Sequence, residues 1–544
     1  MSQTTGAEFV YETTASAVEE KKKLRRNFRR FDMFFYLICT VVTLDTIGAV
    51  AANGAQGFTW LIFLGIFFFL PYGLSIAELG SAFPQEGGPY VWSRLAFGRR
   101  IAAVNAVIYW ISNPIWVGGS LTIVSFAAIE EFFGNVPGGW KYVYALAFIW
   151  FTITAAIVSL QYGKWVPTAG AWARGLIIAF FAITVIVYAA KHGVHGFGGH
   201  AFVPTYAIFI AVVPVLFFNY AGLEVPSAAG EEMVNPRRDV PFAVLWSGAG
   251  VMVAYGLPIL LILIVLPSSA VSGLTGFLDA IKAVFTVYGG HVASDGTATL
   301  TGGGLILGRI AAVVFIFALA SAGTTWIMGA DRAEAVASFD GGGPRILGRF
   351  SARFGTPAGM NVLSGLVATV LMIAAFQITG ANSGRYFAAV LGLTISTTTI
   401  SYLFIFPALI KLRYSRPDVP RPYRVPGGMA GAWICSVVPT FWALLATVAL
   451  IWPGFGVNWF GAGGNPNDSL AALSFSGERL EYELSQIVPL LVIVVIGIVF
   501  YLLGSSTRKQ EVTEPVAAAL AGVGGTAGAV TDVETPVKDA DPTA

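Results

Sequence analysis

The residues best placed for chemistry in this chain interrupt long apolar runs with polar groups. An apolar run from Val203 to Phe218 ends in Asn219-Tyr220-Ala221-Gly222-Leu223-Glu224, and Pro226 follows two residues later. A helix broken there would leave backbone groups that lipid cannot satisfy, so they must face protein or a water-filled cavity. A carboxylate at such a depth is costly and by default marks a pathway or a coupling site. The sequence predicts that Glu224 exchanges a proton, and that a solute pocket is lined by Phe218, Asn219, Tyr220 and Gly222; a kinked helix with static hydrogen bonds is the alternative.

A second acidic residue interrupts the first apolar run of the chain, at Leu44-Asp45-Thr46-Ile47-Gly48-Ala49. This stretch predicts a broken helix whose pocket residues are Asp45, Thr46, Gly48 and Ala49. The Asp45 carboxylate could meet an ammonium group, couple a cation or pair two helices, and the residues alone leave these alternatives open.

One further group has the spacing of a helical face. Tyr109, Asn113 and Trp116 recur at i, i+4 and i+7 around Pro114, so they lie on one side of a helix. Tyr109 and Asn113 are candidate substrate contacts, although an aromatic stripe of this kind is more commonly a packing surface.

The composition indicates which elements must position these residues. Of 544 residues, 56% are hydrophobic and only 11% are charged, against about 25% charged in soluble domains. Apolar runs of about 20 residues recur along the chain, which is typical of an all-α polytopic membrane protein, and we predict twelve transmembrane helices. We find no catalytic constellation, phosphate loop or metal-ligand spacing, and therefore expect no enzyme activity, cofactor, metal or nucleic-acid partner.

The distribution of charge predicts the topology. With the N-terminus inside, the inner segments collect 26 of the 32 Lys and Arg residues, so the positive-inside bias favours cytoplasmic termini and a plasma (inner) membrane location. We expect a cytoplasmic tail at 1–30, whose basic end lies against anionic lipid head groups, and a transmembrane domain at 31–505. Residues 506–544 are predicted to form a disordered cytoplasmic tail.

The two interruptions suggest an internal repeat. They fall in the first and the sixth span, five spans apart, so the two helices run in opposite directions. Paired interruptions of this kind are typical of inverted-repeat transporters, whose substrate site lies between the halves. We predict a first repeat at 31–190, a second at 203–412, and two extra helices at 430–503.

The motifs around the sixth span resemble those of the amino acid–polyamine–organocation (APC) superfamily of secondary transporters. The resemblance rests on the stretch 218–224, on Ala229-Gly230-Glu231-Glu232, and on Asn235-Pro236-Arg237-Arg238-Asp239-Val240-Pro241; residues 77–79 and 84–90 resemble the end of the family's second helix. It covers roughly residues 30–505 and implies the leucine-transporter-type fold of 5+5 helices. Val50 stands where the family usually has a glycine that helps to bind an amino-acid carboxylate.

The resemblance also bears on coupling. Proton-coupled members place a basic side chain on the fifth helix where sodium would otherwise sit, and Arg174 matches that position; a snorkelling residue at the membrane edge is the alternative. Ser321, Thr324 and Thr325 on the eighth span match hydroxyls that bind sodium in other members, or they form interhelical hydrogen bonds.

Together these features predict a secondary active transporter. It would move a small amino acid or related amine by alternating access, with proton coupling or exchange. A polyamine or amine carrier is the runner-up, and a non-transporting membrane sensor or channel with the same fold is the alternative from another class.

Overall fold

The structure is a computed structural model, and it is almost entirely helical. It describes residues 12–509 except 25–27, 163–164, 195, 268–270, 294–296, 379–382 and 460–462, and in addition residues 511–513. The α-helices are α1 (Ala15–Lys21), α2 (Arg30–Val41), α3 (Ile47–Ala51), α4 (Gly54–Leu64), α5 (Leu70–Ala82), α6 (Pro89–Phe97), α7 (Arg99–Trp116), α8 (Thr122–Phe133), α9 (Trp140–Tyr162), α10 (Trp165–His192), α11 (Tyr206–Tyr220), α12 (Pro236–Val265), α13 (Gly276–Phe285), α14 (Gly302–Phe339), α15 (Ala358–Ile378), α16 (Ser383–Ser415), α17 (Gly428–Ile451), α18 (Asp468–Ala472), α19 (Arg479–Leu503) and α20 (Ser505–Arg508).

Shorter elements connect these helices. Two π-helical segments, Gly65–Phe69 and Val117–Leu121, join α4 to α5 and α7 to α8 into continuous rods. A 3₁₀ helix, Val225–Glu232, follows α11. The strands are β1 (Glu12–Thr14), β2 (Gly290–Val292), β3 (Ala298–Leu300) and β4 (Glu511–Thr513), which form the antiparallel pairs β1–β4 and β2–β3.

Ten helical segments in the described part of the chain are long and apolar enough to cross a membrane. They are Gly54–Ala82, Arg99–Phe133, Trp140–Val158, Trp165–His192, Tyr206–Glu232, Pro236–Val265, Gly302–Phe339, Gly384–Ser415, Gly428–Ile451 and Arg479–Leu503. Two further apolar stretches are shorter: Ala358–Ala374, and the first span, which is divided into α2 and α3. The sequence-based expectation of a multi-pass helical bundle is confirmed at this level.

The first span is interrupted, as predicted, but slightly earlier than the sequence indicated. Helix α2 ends at Val41, and α3 begins at Ile47, so Gly48 lies inside the short helix and not in the break. A Cβ on Gly48 would come within 2.9 Å of the Ser272 carbonyl oxygen. The glycine is therefore needed for the close approach of the loop before α13, and not for a turn in the first span.

The sixth span is interrupted where the sequence predicted. Helix α11 ends at Tyr220, and Gly222 has φ +115°, a conformation that side chains with a Cβ rarely adopt. A Cβ there would also come within 2.9 Å of the Trp326 ring. Because Pro226 lies in the first turn of the following 3₁₀ helix, that turn needs no amide hydrogen from it.

Both ends of the described chain lie at the same end of the bundle. β1 pairs with β4, Phe28 bridges to Met233 just after the 3₁₀ helix, and Lys21 pairs with Glu231 at 2.7 Å. We call this end the terminal face. Within the tail predicted to be disordered, the described residues form the end of α20 and the strand β4, and residues 510 and 514–544 lie outside the described residues.

A buried ion cluster fastens α5 to α16 near the terminal face. The carboxylate of Glu78, 1% exposed, accepts hydrogen bonds from Arg413 Nε at 2.8 Å and Nη2 at 2.5 Å, and lies 3.2 Å from Arg421 Nε. The Val425 amide donates to the same carboxylate at 2.7 Å. The Glu78 carboxylate is therefore paired with two arginines and a backbone amide.

Candidate functional site

Glu224 lies at the interruption of the sixth span, inside a ring of three tyrosines. Its side chain is inaccessible to solvent. The hydroxyls of Tyr109 and Tyr402 donate to Oε1 at 2.8 and 2.7 Å, and the hydroxyl of Tyr72 donates to Oε2. Three donors on a carboxylate favour its charged form, so this environment can hold a buried charge.

The same tyrosines satisfy the backbone that the interruption leaves unpaired. The Gly222 amide donates to the hydroxyls of Tyr72 and Tyr402, at 3.1 Å each, and the Leu223 amide donates to Tyr72 at 2.8 Å. Buried amides need such partners because an unpaired one costs about as much as a lost hydrogen bond. The tyrosine hydroxyls therefore link the broken backbone directly to the Glu224 carboxylate.

Asp45 lies at the interruption of the first span and is only 2% exposed. Its Oδ2 accepts hydrogen bonds from Trp116 Nε1 at 3.0 Å and Ser120 Oγ at 3.1 Å. Its Oδ1 has no partner in the described structure, and neither does the buried amide of Asn219. The two interruptions thus hold polar atoms whose hydrogen-bonding capacity is unused.

Side chains from three other helices cap the carbonyl groups at the end of α2. Trp326 donates to the Thr40 carbonyl at 3.0 Å, Tyr255 to the Val41 carbonyl at 2.7 Å, and Arg174 Nε to the Val42 carbonyl at 2.5 Å. The last carbonyl groups of any helix have no intrahelical N–H donor, so they need donors from elsewhere. The interruption is therefore built into the packing of α10, α12 and α14.

Arg174 is buried, at 1% exposure, between the first and eighth spans. Besides the Val42 carbonyl it donates to the Gly170 carbonyl at 2.7 Å, to Ser321 Oγ at 3.0 Å and to the Ala318 carbonyl at 2.5 Å. Its position is thus interior, not the exposed membrane edge that the snorkelling alternative required. A guanidinium held among carbonyl and hydroxyl oxygens supplies positive charge where those oxygens converge.

A cavity of about 430 Å³ on the face opposite the terminal face is lined in part by α3 and α11, the helical segments that adjoin the two interruptions. Its walls include Ala49 of α3, Val215 of α11 and Ile395 of α16. Asn219 lies one helical turn beyond the cavity wall residue Val215 on α11, and Asp45 lies four residues before Ala49, in the first interruption, so neither unpartnered residue is itself a cavity wall. The ring of Phe218 meets that of Trp116 edge-on, with centroids 5.6 Å apart, in the same layer as Asn219.

The terminal face is closed beneath the site. Arg332 on α14 bonds to Glu86, in the loop after α5, and lies 2.9 Å from Glu232 Oε1, at the end of the 3₁₀ helix. Tyr36 donates to the Thr325 carbonyl at 2.5 Å. The space enclosed next to Arg332 measures only about 10 Å³, so the terminal face is closed at this point.

Some residues that the sequence proposed for the pocket lie elsewhere. Tyr220 donates to the Leu61 carbonyl at 2.9 Å and stacks on Phe69, so it packs against the second span. The amide of Asn113 donates to carbonyls of its own helix. Thr46, by contrast, lies in the first interruption as predicted, with its hydroxyl 3.3 Å from that of Thr43.

Other site residues had no local signal in the sequence. Tyr72, Tyr402 and Trp326 lie in apolar helices far along the chain from the groups they contact, and they resemble ordinary core aromatics. The only indication was chemical: a Tyr or Trp buried in an apolar helix usually needs a partner for its O–H or N–H group.

Comparison with known proteins places this geometry in a family. The amino acid permease family model matches residues 28–461. A protein named "Probable agmatine/putrescine antiporter AguD" from Lactococcus lactis is 25% identical over 492 residues, which cover 90% of this chain and 96% of that protein. A glutamate/gamma-aminobutyrate antiporter from Lactococcus lactis is 22% identical, covering 75% of this chain and 81% of that protein.

Solved structures share the fold at low identity. A manganese transporter from Eremococcus coleocola superimposes with a TM-score of 0.54 at 12% identity, covering 87% of this chain and 94% of that protein. The relatives are membrane transporters and not enzymes. The chain therefore belongs to the amino acid permease family of the APC superfamily, as the motifs of its sixth span predicted.

Proposed function

We propose that this protein is a secondary active transporter that moves a small amino acid or a related amine across the plasma membrane by alternating access. The observation that carries the proposal is the order in which a cavity, the two interruptions and an ion cluster follow one another through the protein. A cavity on one face is lined in part by α3 and α11, which adjoin the two interruptions; the interruptions hold unpartnered buried polar atoms, and an ion cluster closes the other face. A pathway that is open on one side only is what an alternating-access carrier requires, whereas a channel needs a continuous pore.

In this account the bundle has twelve spans in a 5+5 inverted repeat plus two helices. The repeats correspond to residues 31–190 and 203–412, and the extra pair to 430–503. Support comes from the two interruptions, five spans apart, and from the ten long apolar helices with two shorter ones. The terminal face is cytoplasmic, because it carries the excess of Lys and Arg.

Coupling is to protons or to an exchanged substrate, and Glu224 is the group that takes up and releases the proton. Its three tyrosine donors stabilise the charged carboxylate, and its burial penalises the same charge. Small changes in the position of the tyrosines would therefore change proton occupancy. Arg174 opposes sodium coupling, since its guanidinium already lies among the Val42 and Ala318 carbonyls and the Ser321 hydroxyl.

Uptake into proteoliposomes tests the proposal. The full chain is reconstituted and offered a panel of labelled amino acids and amines, with and without a pH gradient, in sodium buffer and with choline replacing sodium. We expect saturable uptake of at least one compound that survives the replacement of sodium and responds to the pH gradient or to internal substrate. Uptake that collapses in choline would reject the proton and exchange mechanism, and a linear, unsaturable flux would favour the channel alternative.

A further inference from the structure

A second cavity opens on the face opposite the terminal face, where α17 ends and α19 begins. Since β4 follows α19 and lies at the terminal face, the first turn of α19 lies at the opposite one. The cavity measures about 510 Å³ and is lined by Ile451, Trp452, Pro466, Asn467, Arg479 and Glu483. Among the described residues it shares no wall with the 430 Å³ cavity, so it is separate from the transport pathway proposed above.

The charged groups of this second cavity are one base and one acid, held side by side. Arg479 Nη1 lies 3.4 Å from Glu483 Oε1, and Arg479 Nη2 donates to the Pro453 carbonyl at 3.1 Å. The two charged side chains are only 31% and 28% exposed. A guanidinium has several N–H donors and a carboxylate several lone-pair sites, so these contacts leave both groups able to bind a ligand. The pair therefore offers one site for an anion and, next to it, one site for a cation.

The surface below this cavity is apolar and faces outward. Trp452 in the cavity wall is 51% exposed, and tryptophan is enriched where lipid headgroups meet the hydrocarbon. The side chains of Phe441 and Leu444 on α17, and of Leu484 and Val488 on α19, are exposed. Trp452 lies eleven positions after Phe441, and at about 1.5 Å per residue this stretch is about 16 Å long, or about half of a hydrocarbon core of ~30 Å. The cavity thus lies at headgroup level, above an apolar surface as deep as one leaflet.

We propose that this cavity binds the headgroup of a phospholipid that ends in a primary ammonium, as in phosphatidylethanolamine. The phosphate oxygens accept hydrogen bonds from the Arg479 guanidinium, and the ammonium donates to the Glu483 carboxylate; both are charge-assisted contacts. Two carbons join the phosphate to the ammonium, so the two groups are neighbours in the lipid, as the guanidinium and the carboxylate, 3.4 Å apart, are in the protein. The acyl chains lie along the exposed apolar side chains of α17 and α19.

The charge around the start of α19 selects among headgroups. On the neighbouring helix α16, Arg385 pairs with Glu478 at 2.6 Å and with Glu481 at 2.8 Å. Together with Arg479 and Glu483 these residues comprise two bases and three acids, so one negative charge is in excess. A headgroup that is only anionic, as in phosphatidylglycerol, brings no cation for Glu483 and adds to this excess. A choline headgroup carries methyl groups in place of N–H donors, so it cannot donate a hydrogen bond to Glu483.

Competition between two lipids, read by native mass spectrometry, tests the site. The full chain is equilibrated with equal amounts of phosphatidylethanolamine and phosphatidylcholine that have identical acyl chains, and the lipids that stay bound are identified by mass. We expect about fivefold more bound phosphatidylethanolamine, the effect of one partly exposed ionic hydrogen bond. Equal retention of the two lipids overturns the assignment. A protein dimer that carries no lipid also overturns it, because the apolar surface would then be covered by a second copy of the chain.

Variants at Glu483 locate the ammonium site. Glu483→Gln should abolish the preference for phosphatidylethanolamine, while Glu483→Asp keeps the charge and should keep the preference, which distinguishes lost recognition from lost folding. Glu131→Gln is the matched control, because Glu131 is 30% exposed and pairs with Lys282 at 2.6 Å; its preference should equal that of the parent protein. A preference that persists in Glu483→Gln, that is lost in a folded Glu483→Asp protein, or that falls equally in Glu131→Gln would overturn the assignment.

Discussion

Replacing Arg332 with methionine should open the terminal face. The guanidinium bonds to Glu86 and lies 2.9 Å from Glu232, and the side-chain exposures are 1% for Arg332, 0% for Glu86 and 6% for Glu232. These contacts join α14 to the loop after α5 and to the 3₁₀ helix of the interrupted sixth span. Methionine retains much of the volume but removes the cation that faces the two buried acidic groups, and it leaves the Glu232 carboxylate without its ion-pair partner.

The size of the effect follows from the burial of the cluster. Removing one partner of a buried ion pair costs about 3–5 kcal/mol. The acidic side chains regain water when the terminal face opens, so this free-energy cost applies only to the closed state. At about 1.4 kcal/mol per factor of ten, the equilibrium should shift toward the open state by roughly 10²- to 10³-fold.

Thiol labelling from the terminal face measures that shift. Val225 lines the small space next to Arg332 and is 1% exposed, so a Val225→Cys reporter is protected while the face is closed. The native Cys39 and Cys435 are buried. We expect an impermeant maleimide to label the reporter at least about tenfold faster when Arg332→Met is added. Arg345→Met, at an exposed position on the following loop, is the control, and an unchanged labelling rate in the Arg332 variant would refute the reasoning.

The same reporter should respond to pH. Burial raises the pKa of Glu86 to about 8; Arg332 opposes this rise, and the neighbouring Glu232 carboxylate adds to it. In the closed state Glu86 therefore keeps its proton at pH values at which a solvated Glu86, with a pKa near 4.5, has lost it. Proton binding by Glu86 thus stabilises the closed state of the terminal face. This stabilisation is fully present below about pH 4.5 and is lost as the pH rises through about 8. Labelling of Val225→Cys should accelerate over that upper range, and Glu86→Gln should flatten the dependence.

Two further substitutions test the other polar clusters. Glu78→Gln leaves Arg413 buried without its carboxylate and should lower the free energy of unfolding by about 3–5 kcal/mol; a denaturation midpoint equal to that of the parent protein would contradict the pairing. Tyr402→Phe removes one donor from the Glu224 carboxylate, worth about 1.5–3 kcal/mol for a charged acceptor. We expect the pH of half-maximal uptake to rise by about one unit or more, at about 1.4 kcal/mol per unit, and an unmoved midpoint would show that Tyr402 does not support the charge.

The sequence was most informative where local chemistry breaks a helix. Gly222 and Pro226 located the interruption of the sixth span, because a positive φ and a missing amide hydrogen are properties of single residues. The first interruption was placed a few residues late, at 44–49. Its true limits depend on Trp326 and Tyr255, which cap the end of α2 from distant helices, and no local pattern encodes such contacts.

The composition of the site was less predictable than its location. Asp45 and Glu224 stood out because charges are rare in apolar runs. Tyr72 and Tyr402 did not, since they contact Glu224 across 152 and 178 positions in the chain and each lies in an apolar helix. Conversely, Tyr220 adjoins the interruption in sequence, but its side chain points away from Glu224 and donates a hydrogen bond to the Leu61 carbonyl. Proximity in sequence identified the backbone of the site, and only the packing of the helices identified its side-chain partners.

The most direct test of the central claim is the pH dependence of uptake in a Glu224→Gln variant. The full chain and the variant are reconstituted at equal density, with Glu130→Gln, at an exposed position on α8, as the control for loss of a carboxylate. We predict that Glu224→Gln folds and inserts normally, retains substrate binding, and loses the response of uptake to pH, while the control keeps it. A Glu224→Gln protein whose uptake follows pH as the parent does would contradict the account.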